Sequence, residues 1–562
     1  MNLSKLQSKR ILIFVLLLTL IGAVLHFYNL NWGAPYYFHP DERNIAFSIS
    51  QLKFPNQMDP HFFAYGSLPI YIIYFTGIII NLLSKSQTLN VPFNEAIIIG
   101  RFYSAFFTTL LIPIIFFIGK KIKNETVGLT AAFLMTFSTG IVQFAHFGTF
   151  EIWLTFFTTL LFWYCLFIKQ HATTRLTIIL ATLTGILISI KISHVAILPI
   201  ALLVITIQEI FQNKNRHHFF KTIMILKGFS LFFLIAFFIY LTTNPYVFLD
   251  TKSFLSTMQY ESSLALGTLP VFYTGEFYNT LPIIFQFLHV YPFLLNPIIE
   301  IIFIASFLYL LIKTVKTKNI ILILLLSFFV LLFFSQAILF VKWTRYMVPT
   351  LPFIFLIIAV AISEFSSQIK SRNLKKPFFI IISLVDVTTL IFSISYFITA
   401  FVQTDTRIAA YTFAKKVIPT NAKILSEVYD LGIVPFNDPF GSITLFNFYD
   451  FDNEFSSTQL KQELTSDLNQ SDYIILPSQR ILKTRLSNPK QFPKANIFYG
   501  YVLNKRNPQT LNALISLPSY KQIYESPCDI FCKITYLGSP IYSFEQTANV
   551  FDRPTVMIFK KI

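Results

Sequence analysis

Apolar runs separated by short polar loops occupy roughly the first four hundred residues of the chain. Runs long enough to cross a bilayer as helices fall at about 11–27, 95–118, 126–142, 149–168, 174–190, 193–210, 222–242, 289–312, 319–340, 345–363 and 378–401, since about 20 apolar residues span the hydrocarbon layer. A further run, about 67–84, contains Pro69 and closes at Asn81 to Lys85. From Gln403 onward charged, Asn and Pro residues are frequent and no run is long enough to span. There Thr406 to Val417 has helical spacing, and Ser456 to Leu468, with Ser456 and Ser457 as candidate caps, reads as a second helix. Strands are expected at Lys423 to Val428, Ser442 to Tyr449, Asp472 to Leu476 and Thr555 to Lys560. The pattern predicts a polytopic α-helical membrane protein with about eleven transmembrane helices plus juxtamembrane helices over residues 1–402. A small α/β domain follows over 403–562.

Composition agrees: 54% of residues are hydrophobic, 13% are charged, and the mean hydropathy is +0.61. A formal charge of +17 invites a nucleic-acid reading, but the basic residues sit in short clusters between apolar runs. These hold Lys120/Lys121/Lys123, Lys169/Arg175, Lys214/Arg216/Lys221, Lys313/Lys316/Lys318 and Lys370/Arg372/Lys375/Lys376. A membrane protein keeps its cytoplasmic positives in such loops, so the expected partner is the lipid bilayer and not nucleic acid. All of them share a side with Lys5, Lys9 and Arg10 only if 67–84 does not cross, which makes that run re-entrant or juxtamembrane. The N-terminus is then cytoplasmic, and the C-terminal domain of a multi-pass plasma-membrane protein is extracytoplasmic. The outer face also receives the 28–94 and 243–288 loops. The first run lacks a small-x-small cleavage site near Gly22-Ala23-Val24 and reads as a retained helix. Cys165 lies in an apolar run, while Cys528 and Cys532 are spaced for a short-loop disulfide in an exported domain.

Against so apolar a background, the stretch Tyr36-Tyr37-Phe38-His39-Pro40-Asp41-Glu42-Arg43 needs a reason for its charge. Adjacent side chains cannot share one face of a helix, so Asp41 and Glu42 need not act on the same atom. A carboxylate at the mouth of an apolar cavity can take a hydroxyl proton as that oxygen attacks an electrophile. Pro-Asp-Glu is also an ordinary helix start, with both acids at the positive end. Charge recurs at other span ends: Arg101, His146 and Glu151, Lys191, and then Lys342 and Arg345. Singly, each reads as a snorkelling interface residue. Together, cations and acids on one membrane face suit a substrate that carries an anionic group and a hydroxyl.

The order of these elements resembles a GT-C glycosyltransferase of the protein O-mannosyltransferase type (family 39), whose relatives include the lipid A aminoarabinose transferases. The resemblance runs over about residues 10–400. It rests on His39-Pro40-Asp41-Glu42, Asp59-Pro60-His61-Phe62-Phe63-Ala64-Tyr65, Gly100-Arg101, Glu151 (where Asp is common), Lys191-Ile192-Ser193 and Arg345-Tyr346-Met347-Val348-Pro349. It implies a sugar transfer with inversion from a polyprenyl-phosphate donor to a glycan, lipid or protein acceptor at the extracytoplasmic face. Asp41 would be the general base, with Glu42 beside it as the second catalytic acid. Glu151, His61, Tyr65 and His146 would meet the substrate, and Arg345, Lys342, Lys191 and Arg101 would hold the donor phosphate. No cofactor is required on this reading, and a lone acidic pair is a weak case for a divalent cation, so no metal ligand is assigned. The alternative is a transporter or flippase for an anionic lipid or solute, its path lined by intramembrane charge.

Overall fold

Helices form where the apolar runs lie. The computed structural model describes residues 3–84, 89–168, 170, 172–269, 271–452, 457–478, 480–502, 520–536, 544–548 and 550–562; Lys85, Lys169 and Ser456 lie outside them. Among the described residues nine helices are long and apolar enough to cross a membrane, the first Lys9–Phe27 and the last Asn373–Val402. The pair Glu125–Phe137 and Thr139–Ala145, bent by 58°, is apolar enough to add a tenth if its two halves cross as one broken span. Its break is at Ser138, whose backbone is extended (φ −76°, ψ 128°) and whose hydroxyl donates to the Leu294 carbonyl (2.7 Å).

Two expected segments differ in extent. The 149–168 run is helical only over Glu151–Cys165, 15 residues, too short for the full span expected of it. The 289–312 run starts its long helix eight residues late, at Pro297, because the Asn296 side chain caps Ile298 and Ile299 (3.0 and 2.9 Å) from a left-handed backbone, φ 78°. The 67–84 run forms Ser67–Leu83, 17 residues, where it was expected and at the lower limit of spanning length.

The chain divides into two compact units. One comprises Met1–Leu30, Asp41–Leu266 and Pro282–Ile394; the other comprises Asn31–Pro40, Gly267–Leu281 and Ser395–Ile562. Spans in the first unit pack closely at small residues. A side chain at Gly119 would meet the Gly128 backbone at 2.7 Å, so the helices Phe93–Ile122 and Glu125–Phe137 touch almost backbone to backbone.

The second unit carries a five-stranded sheet: β1 Lys423–Glu427, β2 Ser442–Phe446, β3 Tyr473–Leu476, β4 Tyr520–Glu525 and β5 Met557–Lys561. The order is β2-β1-β3-β5-β4, with β2, β1 and β3 parallel and β5 antiparallel to both of its neighbours. Period-two alternation sends Leu425, Phe446 and Ile474 to one apolar core and Ile424, Ile475 and Ile558 to the other. The helix Thr406–Val417 packs Ala410 and Ala414 into the second core. Cys528 and Cys532 are disulfide-bonded, with Cα atoms 5.3 Å apart. Strand β4 is absent from the sequence-based expectation because Tyr-Lys-Gln-Ile-Tyr-Glu, half exposed at the sheet edge, lacks a clean apolar alternation.

Glu427, at the end of β1, is wholly buried with the Tyr499 hydroxyl donating to it, and burial raises its carboxyl from 4.5 to about 8. A carboxyl raised on folding stabilises the fold below its unfolded value and loses that contribution as pH climbs through the folded one. The thermal midpoint of the purified protein should therefore fall between about pH 4.5 and pH 8. Glu427→Gln, neutral throughout, should flatten that dependence in a scanning-fluorimetry series; an unaltered slope would assign it to other groups.

Candidate active site

Pro40 opens the helix Pro40–Ser50, its missing N–H costing nothing at the first turn, and Asp41 and Glu42 follow at the positive end. The two acids diverge. Glu42 points inward to Arg101, which donates Nε–H to Oε1 (2.9 Å) and an NH2 proton to Oε2 (2.6 Å). The Gly148 N–H adds a third bond to Oε1 (2.5 Å), and Arg101 also donates to the Leu30 carbonyl (2.8 Å). Both side chains are buried, so this forked pair sits in the apolar interior with its hydrogen bonds made.

Asp41 faces the other way and pairs with Arg345, and both side chains keep partial exposure. Arg345 comes from the 3-10 turn Thr344–Thr350, where its guanidinium lies over the Trp343 ring (4.5 Å) and beside Tyr346 (5.8 Å). From Tyr346 the contacts continue to Lys191, whose ammonium is 4.8 Å from that ring and 5.0 Å from the ring of Tyr65. Lys191 occupies the extended break between the helix Thr173–Ile190 and the turn Ile192–Ile197. The Tyr65 hydroxyl donates to Glu151 Oε1 (3.1 Å), and the other oxygen of Glu151, in the first helical turn, has no hydrogen-bond partner. Burial, then the neighbouring Glu151 carboxylate, holds the Tyr65 hydroxyl well above its usual range.

One contiguous network thus runs Asp41–Arg345–Tyr346–Lys191–Tyr65–Glu151. Two small cavities, about 20 Å³ each, flank it: one lined by Tyr65, Gly66 and Asn244, the other by Ser193, His194 and Tyr346. Gly66 has no substitute here. Its N–H bonds to the Ile190 carbonyl (2.8 Å), and a side-chain carbon would lie 2.0 Å from the Ser189 carbonyl oxygen.

The remaining candidates lie elsewhere. Lys342 donates to the Phe340 carbonyl (2.7 Å) and lies over the Phe285 and Phe340 rings, where burial lowers its ammonium to about 8. His146 is buried with Nδ1 on the Val142 carbonyl (2.8 Å) and Nε2 on the Tyr28 carbonyl (2.9 Å), a strut between helix and loop. His61 is exposed, with Nδ1 3.4 Å from Asp59 and Nε2 3.2 Å from Gln57.

Two features escaped the sequence reading. Glu261, on the helix Thr251–Leu266, sits within electrostatic reach of Lys191; burial raises its carboxyl and Lys191 opposes that. Asp59, His61 and Asp250 bring ligand atoms within 4.8 Å of one another, a set that could hold a divalent cation although none was assigned. Asp59 and His61 are close in sequence, but nothing local marks Asp250, which belongs to the other long loop.

No family model matches the sequence, and no curated protein matches it at sequence level. Solved structures do resemble it. The archaeal oligosaccharyltransferase AglB from Archaeoglobus fulgidus, in complex with an inhibitory peptide and a dolichol-phosphate, aligns over 99% of this chain and 89% of that one, with TM-score 0.51 and 12% identity. The oligosaccharyltransferase of that organism tethered to an acceptor peptide gives the same values: 99%, 89%, 0.51 and 12%. ArnT from Cupriavidus metallidurans bound to undecaprenyl phosphate aligns over 86% of this chain and 95% of that one, with TM-score 0.43 and 12% identity. At 12% identity the likeness is one of architecture alone: this multi-pass chain shares the fold of the archaeal oligosaccharyltransferase.

Proposed function

We propose that the protein is a membrane glycosyltransferase that moves a sugar from a polyprenyl-phosphate donor to an acceptor hydroxyl, with inversion, on the extracytoplasmic face. The observation that carries this is the Asp41–Arg345 pair at the head of the Lys191–Tyr65–Glu151 network. The dolichol-phosphate in the AglB complex supports a lipid phosphate as donor headgroup. In the reaction Asp41 takes the acceptor proton as the hydroxyl oxygen bonds to the anomeric carbon. The bond from that carbon to the phosphate oxygen breaks, and its electron pair leaves with the polyprenyl phosphate. Arg345 and Lys191 stabilise the developing charge, while Tyr65 and Glu151 orient sugar or acceptor. Without substrate Asp41 and Arg345 neutralise each other; an arriving phosphate draws the guanidinium and frees the carboxylate, so the donor binds first. We assign Arg101, Glu42 and His146 to structure, since each is already committed inside the fold, and Lys342 to the Phe340 turn. The transport alternative is not favoured: the charged residues gather into one network, in a fold shared with a transferase.

Arg345→Ala should weaken polyprenyl-phosphate binding roughly ten- to a hundredfold, the value of one charge-assisted contact, in a nanodisc assay with labelled lipid. A change in acceptor preference at constant donor affinity would move Arg345 to the acceptor side. For sidedness, a tag after Ile562 should react in intact cells with a membrane-impermeant reagent; protection would reverse the orientation. Mass analysis of glycans and lipids with and without the protein identifies sugar and acceptor, and an unchanged profile counts against the transfer reading.

A further inference from the structure

The second unit holds a cleft of about 430 Å³, far larger than the cavities beside the Asp41 network. Its walls come from segments that leave the carboxyl ends of three parallel strands. Tyr429 follows β1; Asn447, Tyr449 and Asp450 follow β2; Arg485 lies on the helix that follows β3. With β1 central, β2 on one side and β3 on the other, the connections diverge between β1 and β3. Loops at such a switch point part and leave a crevice, which is where open α/β sheets take their ligands. The crevice walls are tied: the Ser478 hydroxyl, beyond β3, donates to Asp430, beyond β1.

The lining has the chemistry of a polyhydroxylated ring binder. Tyr429 is 59% exposed, its ring 5.8 Å from that of Tyr449, and Tyr278 and Phe492 add further aromatic faces. Flat, weakly polar ring faces stack on such surfaces. Planar hydrogen-bonding groups stand between them. Arg485, 2% exposed, lies 3.6 Å from the Phe492 ring centroid, and its Nε has no hydrogen-bond partner. Asn447 donates to Asp450 (2.8 Å) and its Oδ1 accepts from the Tyr449 and Asp450 N–H groups (3.1 and 3.3 Å), and the exposed Gln491 adds a further amide to the lining. Donors and acceptors at fixed spacing suit vicinal hydroxyls. Arg485 and Asp450 are the one cation and the one acid in the lining, so its formal charges cancel. Asp450-Phe451-Asp452 spells Asp-x-Asp, but Asp452 caps the helix Pro493–Val502 through the Lys494 and Ala495 N–H groups (2.6 and 3.3 Å). The two carboxylates are thereby separated in role and do not form a cation pair for a nucleotide sugar.

We propose that this crevice is a binding site for a neutral saccharide of one to three rings, separate from the Asp41 network. It does not rest on the transfer reaction, so its test is a binding measurement. The full-length protein is placed in nanodiscs prepared without sugar-headed detergent. Saturation-transfer NMR is then run with mannotriose, cellotriose and chitotriose, and with glucuronate and inorganic phosphate as anionic probes. At least one neutral trisaccharide should bind saturably, with transfer strongest at its ring C–H protons. Tyr429→Ala and Gln491→Ala, both at exposed positions, should each weaken that binding about tenfold or more with the thermal midpoint unmoved. Gln491→Ala serves alone if the tyrosine variant is unstable. Binding by none of the three trisaccharides, binding indifferent to both substitutions, or binding of the anionic probes alone would overturn the proposal.

Discussion

Asp41→Asn should lower sugar transfer by about two to four orders of magnitude, the usual share of a positioned general base, while the protein folds and binds donor lipid at least as well as before. The reason lies in the divergence of the two acids. Asp41 touches Arg345 and leaves the Glu42–Arg101 anchor untouched, so neutralising it removes the proposed base without disturbing the helix that carries it. It also leaves Arg345 without a competing carboxylate, so affinity for polyprenyl phosphate should hold or rise. Single-turnover transfer and lipid binding measured on one preparation separate the two effects. Substantial turnover by Asp41→Asn would remove Asp41 from the base role; a parallel loss of donor binding would make it a scaffold for Arg345.

The largest effect on stability is expected at Arg101. Arg101→Ala would strand the Glu42 carboxylate and the Leu30 carbonyl in an apolar interior, and removing one partner of a buried pair costs about 3–5 kcal/mol. Loss of monodisperse protein and a sharply lowered thermal midpoint should follow. Arg101→Lys should rescue little, since an ammonium cannot make two parallel bonds to Glu42 and a third to Leu30. Were Arg101→Ala to fold normally and lose only donor binding, Arg101 would return to the phosphate site.

These two expectations separate what the linear chain reveals from what it hides. The pairing of Pro40 with Asp41 and Glu42 marks a charged helix start, and Gly100-Arg101 and Lys191-Ile192-Ser193 mark charge at span ends. Which charge meets which is settled by side-chain direction. Adjacent residues on a helix point about a hundred degrees apart, so one of the two acids had to turn inward, but only packing decides that it is Glu42. For the same reason Lys342, just before the turn Thr344–Thr350, and Arg345, on it, part company toward Phe340 and Asp41.

In the second unit, Thr406–Val417 begins and ends where its spacing predicts, and β1, β2, β3 and β5 fall within the expected strands to within a residue or so at most ends. Periodicity and caps are local properties, written in neighbouring residues. Hydrophobic length likewise determined on its own that the chain is a multi-pass membrane protein, because a bilayer tests each segment separately. The Tyr65–Glu151 bond, the Asp59–His61–Asp250 grouping and the crevice of Tyr429, Tyr449 and Arg485 join residues far apart in the chain. Those came only from the folded structure, since long-range contacts depend on how helices and strand ends are packed together, which no short window of residues encodes.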